Sequence, residues 1–121
     1  MHKALAKALK NAEGRSEFVI AVVVDIRGFS AFSTIHESPD IAMYIKRFYL
    51  TLLKDFFPNA TFFKPTGDGL LLTFKYTERD LEDVATCVLK ACMRCLVESP
   101  SICEGDPMIN FDVPQSLGIG I

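Results

Sequence analysis

Long apolar runs are missing from this chain. The longest, Phe18 to Val24, falls far short of the roughly 20 residues that a membrane-spanning helix needs. The first residues lack the apolar core and cleavage pattern of a secretion signal, so the sequence reads as cytoplasmic, with no direct membrane contact. A surplus of one charge is missing too. Thirteen basic and 15 acidic residues leave a formal net charge of −2, which argues against a nucleic-acid or acidic-lipid surface. Lys3, Lys7 and Lys10 are too few to make a basic tail. The two histidines, His2 and His36, stand alone and receive no role. There is no internal repeat and no low-complexity tract.

Cysteine is present but lacks the company that would make it a site. Cys92 and Cys95 form a CxxC, with Cys87 and Cys103 nearby. No second CxxC or histidine pair completes a zinc tetrad. A thioredoxin-like redox site would need a strand just before the pair, and the surrounding sequence has helical periodicity instead. These residues read as buried or half-buried free thiols in a reducing compartment.

What is abundant is apolar character. Half of the 121 residues are hydrophobic. A chain of this length makes one domain with a core of its own. Such richness suggests a large apolar face buried against a second subunit or another part of the same fold, and predicts self-association.

The periodicity predicts a short amphipathic helix over residues 3–13. Phe18–Val24 reads as a central strand covered on both faces. Ser38, Pro39 and Asp40 mark a helix start. Ile41, Tyr44, Ile45, Phe48, Tyr49, Leu52, Leu53 and Phe56 then repeat at helical spacing as a core stripe, and Pro58 closes the helix. A strand over 61–64, a turn over 65–69 and a strand over 70–74 make a hairpin. A helix over 78–98 with Thr77 as cap follows, then a loop over 100–115 and an apolar strand from Leu117. The order β-α-(α)-β-β-α-β is the opening of an α+β sandwich of ferredoxin-like or palm type. Its helices lie on an antiparallel sheet, cut off as the fourth strand begins.

Two carboxylates carry the chemistry. Asp25 ends the buried strand and Asp68 sits at the hairpin tip. Each alone is an ordinary turn residue. Held together at one sheet edge, they repel unless a cation lies between them. Hard divalent cations take oxygen ligands and keep positions open for phosphates, so the pair points to Mg²⁺ or Mn²⁺ carrying a nucleoside triphosphate. After Asp25, Gly28 allows close backbone approach, and Phe29 and Ser30 open a helical segment whose N–H groups can face phosphate oxygens. Phe29 and Phe32 are expected to be chiefly core residues.

Val24-Asp25-Ile26-Arg27-Gly28-Phe29-Ser30 resembles the first signature of class III adenylate and guanylate cyclases, a hydrophobic strand followed by Asp-Ile-x-Gly-Phe-Ser/Thr. Lys64-Pro65-Thr66-Gly67-Asp68-Gly69 before an apolar strand resembles the second, Lys-x-x-Gly-Asp. Leu117 to Ile121 looks like the start of the next strand of that family. The resemblance runs from about residue 17 to the end. It divides the chain into a leader helix, 1–15, and an incomplete cyclase homology domain, 16–121.

The resemblance implies an adenylate cyclase that forms cyclic AMP and pyrophosphate from ATP with two metal ions. Asp25 and Asp68 would be the catalytic, metal-binding aspartates, with the Ile26 carbonyl as a further ligand. Gly28, Phe29 and Ser30 would face the phosphates. Lys64 would read the base, favouring adenine over guanine, because its ammonium can donate to the adenine N1 acceptor. Family sites form between two subunits, so a homodimer or a second cyclase domain is the implied partner. The family's second base-reading residue, ribose-orienting asparagine and transition-state arginine are not in this sequence. A non-catalytic dimerising or nucleotide-sensing module is the alternative. A diguanylate cyclase is disfavoured by the lack of a Gly-Gly-acid-acid-Phe hairpin.

Overall fold

Alternation within a β-branched segment decides how the sheet is built. The computed structural model describes residues 2–11, 16–35, 38–67, 69–104 and 116–121. Strand β1 (Val19–Ile26) buries Val22, Val24 and Ile26 and leaves Val19, Ala21 and Val23 exposed. Successive residues of a strand point to opposite faces, so one face of β1 is core and the other is open.

Helix α1 (Lys3–Asn11) precedes β1, and its residues 3–10 are exposed. Helix α2 (Phe29–Ile35) and helix α3 (Ser38–Thr51) follow β1. Leu52–Phe56 continues α3 as a π-helical turn, closed by the Phe57 N–H on the Leu52 carbonyl (2.8 Å). Strand β2 (Phe62–Pro65), strand β3 (Gly69–Lys75), helix α4 (Leu81–Val97), helix α5 (Ser99–Glu104) and strand β4 (Leu117–Gly120) complete the order. This is an α+β fold on a four-stranded antiparallel sheet with strand order β2-β3-β1-β4.

The register ties the buried positions together. Val22 lies opposite Leu72, Val24 opposite Leu70, and Ile26 opposite Leu117. These residues join one core with Phe32 of α2, Tyr44, Phe48, Leu52 and Phe56 of α3 and its π-helical turn, Phe57 just after it, and Val88, Cys92, Cys95, Ile102 and Cys103 of α4 and α5. The expected aromatic stripe of α3 is therefore core, as is Phe32, while Phe29 is partly buried against it. Arg94 fastens α4 to the π-helical turn. Its guanidinium stands 4.3 Å from the Phe56 ring centroid, and its Nη2 donates to the Asp55 carbonyl (2.8 Å).

Three local expectations are corrected. The Phe18–Val24 run is not covered on both faces by the described residues, since Val19 and Val23 are each 42% exposed. All the core-forming helices lie on the opposite face. The helix expected from residue 78 starts at Leu81. The Asp80 carboxylate accepts from both the N–H and the hydroxyl of Thr77, which makes a side-chain turn there rather than a helical one. Ser99–Glu104, expected as loop, is helical. Pro100 sits in its first turn, where no intrahelical N–H is needed. Residues 12–13 of the expected leader helix and 105–115 of the expected loop lie outside the described residues, as does His36. Among the described residues, no helix is long and apolar enough to cross a membrane.

The one-sided sheet makes a quantitative prediction. Leu72 is fully buried, and its neighbour Leu71 on the open face is half-buried. Leu72→Ala should cost about 2–5 kcal/mol in urea unfolding, and Leu71→Ala less than half as much. Equal losses would mean that the second face is covered in solution.

Candidate functional site

The site begins where β1 runs out. Asp25 belongs to the open-face set of β1, and directly opposite it on β3 is Gly69. On its other side, β4 places Gly118. Asp25 is thus flanked across the sheet by two residues without side chains. Gly69 requires glycine because backbone stands in the way; at Gly118 the groups in the way are side-chain ends. A Cβ on Gly69 would run into the Val24 carbonyl oxygen, and one on Gly118 would meet the Arg27 guanidinium and Asp25 Oδ1. The two glycines let neighbouring groups pack closely around this carboxylate: the β1 backbone at Gly69 and the Arg27 guanidinium at Gly118.

The carboxylate itself is held asymmetrically. Oδ1 is sealed from solvent and accepts no hydrogen bond among the described residues, although the side chain as a whole is 43% exposed. Arg27 Nε lies 3.5 Å from Oδ1. That is an ion pair, too long for a good hydrogen bond. A sealed acceptor without a donor is uncommon in folded proteins and calls for a cationic or polar partner.

After Ile26 the backbone turns sharply. Gly28 takes a positive φ of 77°, which a glycine adopts without strain. The Gly28 carbonyl then receives the Phe32 N–H (3.1 Å), starting α2. Asp25, Ile26, Arg27, Gly28, Phe29 and Ser30 line an open hollow of about 210 Å³. The first motif therefore forms one continuous concave surface beside the carboxylate.

The second motif approaches from the β2–β3 connection. The Thr66 N–H donates to the Gly69 carbonyl (2.9 Å), and Gly67 has φ 90°. The Tyr49 hydroxyl of α3 donates to the Gly67 carbonyl (2.8 Å), pinning this turn to the helix layer. Asp68 itself lies outside the described residues; its chain neighbour Gly69 is the residue paired with Asp25. Lys64 is exposed and pairs with Leu71, which in turn pairs with Val23. It therefore shares the open face with Asp25 but sits two strands across and two residues along, roughly 12 Å at ordinary strand dimensions. One chain does not bring Lys64 and Asp25 into contact by this register.

Sequence reasoning missed two contributors. Arg27 follows Asp25 by two positions, the spacing that puts strand residues on one face, so an ion pair there could have been foreseen. Tyr49 belongs to the core stripe by its spacing, and nothing local in the sequence signals its bond to the turn.

The CxxC does not form a competing site. All four cysteines are free, and only Cys87 is exposed. Burial pushes the Cys95 thiol up to about 12 and raises Cys92 as well, which disfavours the thiolates that metal binding or redox exchange requires. Among the described residues, no group of three or more His, Cys, Asp or Glu side chains is placed to hold a metal ion.

No protein-family model matches the chain, and no curated protein matches it at a significant level.

The glycine beside Asp25 is testable. Gly69→Ala should destabilise the chain by about 1–3 kcal/mol, because backbone rather than a flexible side chain must give way. Gly120→Ala, where a Cβ meets open space, should change stability by less than about 0.5 kcal/mol. Chemical denaturation of both variants checks the difference.

Proposed function

We propose that this chain carries the metal half-site of a class III adenylate cyclase domain, on a sheet of ferredoxin-like or palm type. The observation that carries the reading is the register of β1 on β3. It pairs Asp25 of the first motif with Gly69 of the second, the residue next to Asp68. Two motifs that are distant in the sequence thus meet at one end of the two central strands. The strand order supports the fold assignment. β1 and β2 run parallel with β3 between them, and β3 and β4 run parallel with β1 between them, which is the split βαβ arrangement.

The residues around Asp25 fit a divalent cation. Oδ1 is a sealed acceptor that receives no hydrogen bond among the described residues, and its cationic neighbour Arg27 stands at ion-pair distance over Gly118. Asp25, Asp68 and the Ile26 carbonyl supply the hard oxygen donors that Mg²⁺ or Mn²⁺ prefers. When bound, such ions would neutralise triphosphate charge and make the ribose 3′-hydroxyl more acidic. Asp25 and Asp68 would hold that charge. Gly28, Phe29 and Ser30 shape the hollow that faces the phosphates. Lys64 donates to the adenine N1 acceptor.

The distance of Lys64 from Asp25 supports a site shared between two copies. Both residues stand on the same open sheet face, together with the exposed Val19, Val23 and Phe62. Apposed open faces would cover this apolar surface and bring the Lys64 of one copy toward the Asp25 of the other.

Binding of a fluorescent N-methylanthraniloyl ATP reads the half-site directly. Binding should require Mn²⁺ or Mg²⁺, and Asp25→Asn or Asp68→Asn should weaken it by about tenfold or more. Lys64→Glu should reduce the preference for the ATP over the GTP analogue. Metal-independent binding that survives both aspartate changes would sink the proposal.

A further inference from the structure

We propose that Arg27 is a built-in competitor for the metal position: its guanidinium occupies the cation's place beside Asp25 and must leave when a divalent cation binds. This rests on the reading of Asp25 as a metal ligand. Three observations carry it. Among the described residues, the cationic group beside the sealed Asp25 Oδ1 is Arg27 Nε, at 3.5 Å. The guanidinium lies over Gly118, so closely that a single methyl group there would collide with both Nη2 and Nε of Arg27 and with Oδ1 of Asp25. That absent side chain gives arginine its berth. Among the described residues the Arg27 side chain makes no hydrogen bond, and it is 66% exposed.

An ion pair without hydrogen bonds, half in solvent, is weak and readily exchanged. It is strong enough to keep Asp25 charge-compensated when no metal is present. It also lowers the fraction of sites open to an incoming cation, and apparent affinity falls by that fraction. The displaced guanidinium does not travel far. Arg27 also lines the hollow formed by residues 25–30, where a phosphate group arriving with the cation would offer it a new anionic partner. The device therefore favours filling by a cation already carried on a polyphosphate.

Mn²⁺ binding to the chain, followed by electron paramagnetic resonance of the free ion, tests the competition without any turnover. Arg27→Gln should tighten the Mn²⁺ dissociation constant by about two- to fivefold, the scale of a half-exposed ion pair. The arginine Nε–H resonance that disappears in Arg27→Gln should, in the unaltered chain, move to its solvent-exchanging position as diamagnetic Mg²⁺ is added. Equal Mn²⁺ affinities, or an Arg27 resonance unmoved at saturating Mg²⁺, would overturn the competition while leaving the metal reading in place. Absence of Mn²⁺ binding to both proteins at millimolar concentration would overturn the two together.

Discussion

Everything at the candidate site depends on the register in which β1 pairs with β3. Val22 and Val24 meet Leu72 and Leu70 on the core face, and this fixes Asp25 against Gly69 on the other. A slip of one residue would turn the buried valines outward and carry Asp25 into the core. The cost of burying an unpaired carboxylate and exposing the core residues together excludes that alternative. Burial on one face of the sheet therefore aims the carboxylate on the other. The helices contribute by filling the core side, and Tyr49 reaches past the sheet to hold the β2–β3 turn.

Much of this was legible in the residues. The Asp-Ile-Arg-Gly-Phe-Ser segment announces a strand end, a tight turn and a helix start, and each is found there. The hairpin over 62–75 follows from Pro, Thr and Gly between two apolar runs. Other features were not legible, for physical reasons. A run of β-branched residues satisfies a strand whether one face or both are covered, so it cannot reveal the open face. Pro100 reads as a breaker, yet a proline in the first turn of a helix breaks nothing, and α5 was missed for that reason. The pairing of Arg27 with Asp25 depends on Gly118, a residue more than ninety positions away in the chain. No local pattern carries that information, and only the β1–β4 register does.

The electrostatics of the site are economical. Asp25 is balanced by a neighbour from its own motif, and the next cation on that face, Lys64, is held two strands off. Cysteines that might have offered a softer metal site are packed into the core, where burial disfavours their ionised form. Under the proposed reading, Asp25 and the Ile26 carbonyl would offer hard oxygen donors, which a divalent cation prefers to the buried thiols.

The central claim is that Asp25 and Asp68 share one bound cation. A double-mutant cycle on Mn²⁺ affinity with Asp25→Asn, Asp68→Asn and the two combined tests it most directly. Two carboxylates acting on the same ion predict strong coupling, with the double variant losing little more than either single one, an interaction on the order of 1–3 kcal/mol. Strictly additive losses, or a loss confined to one of the two aspartates, would contradict the account.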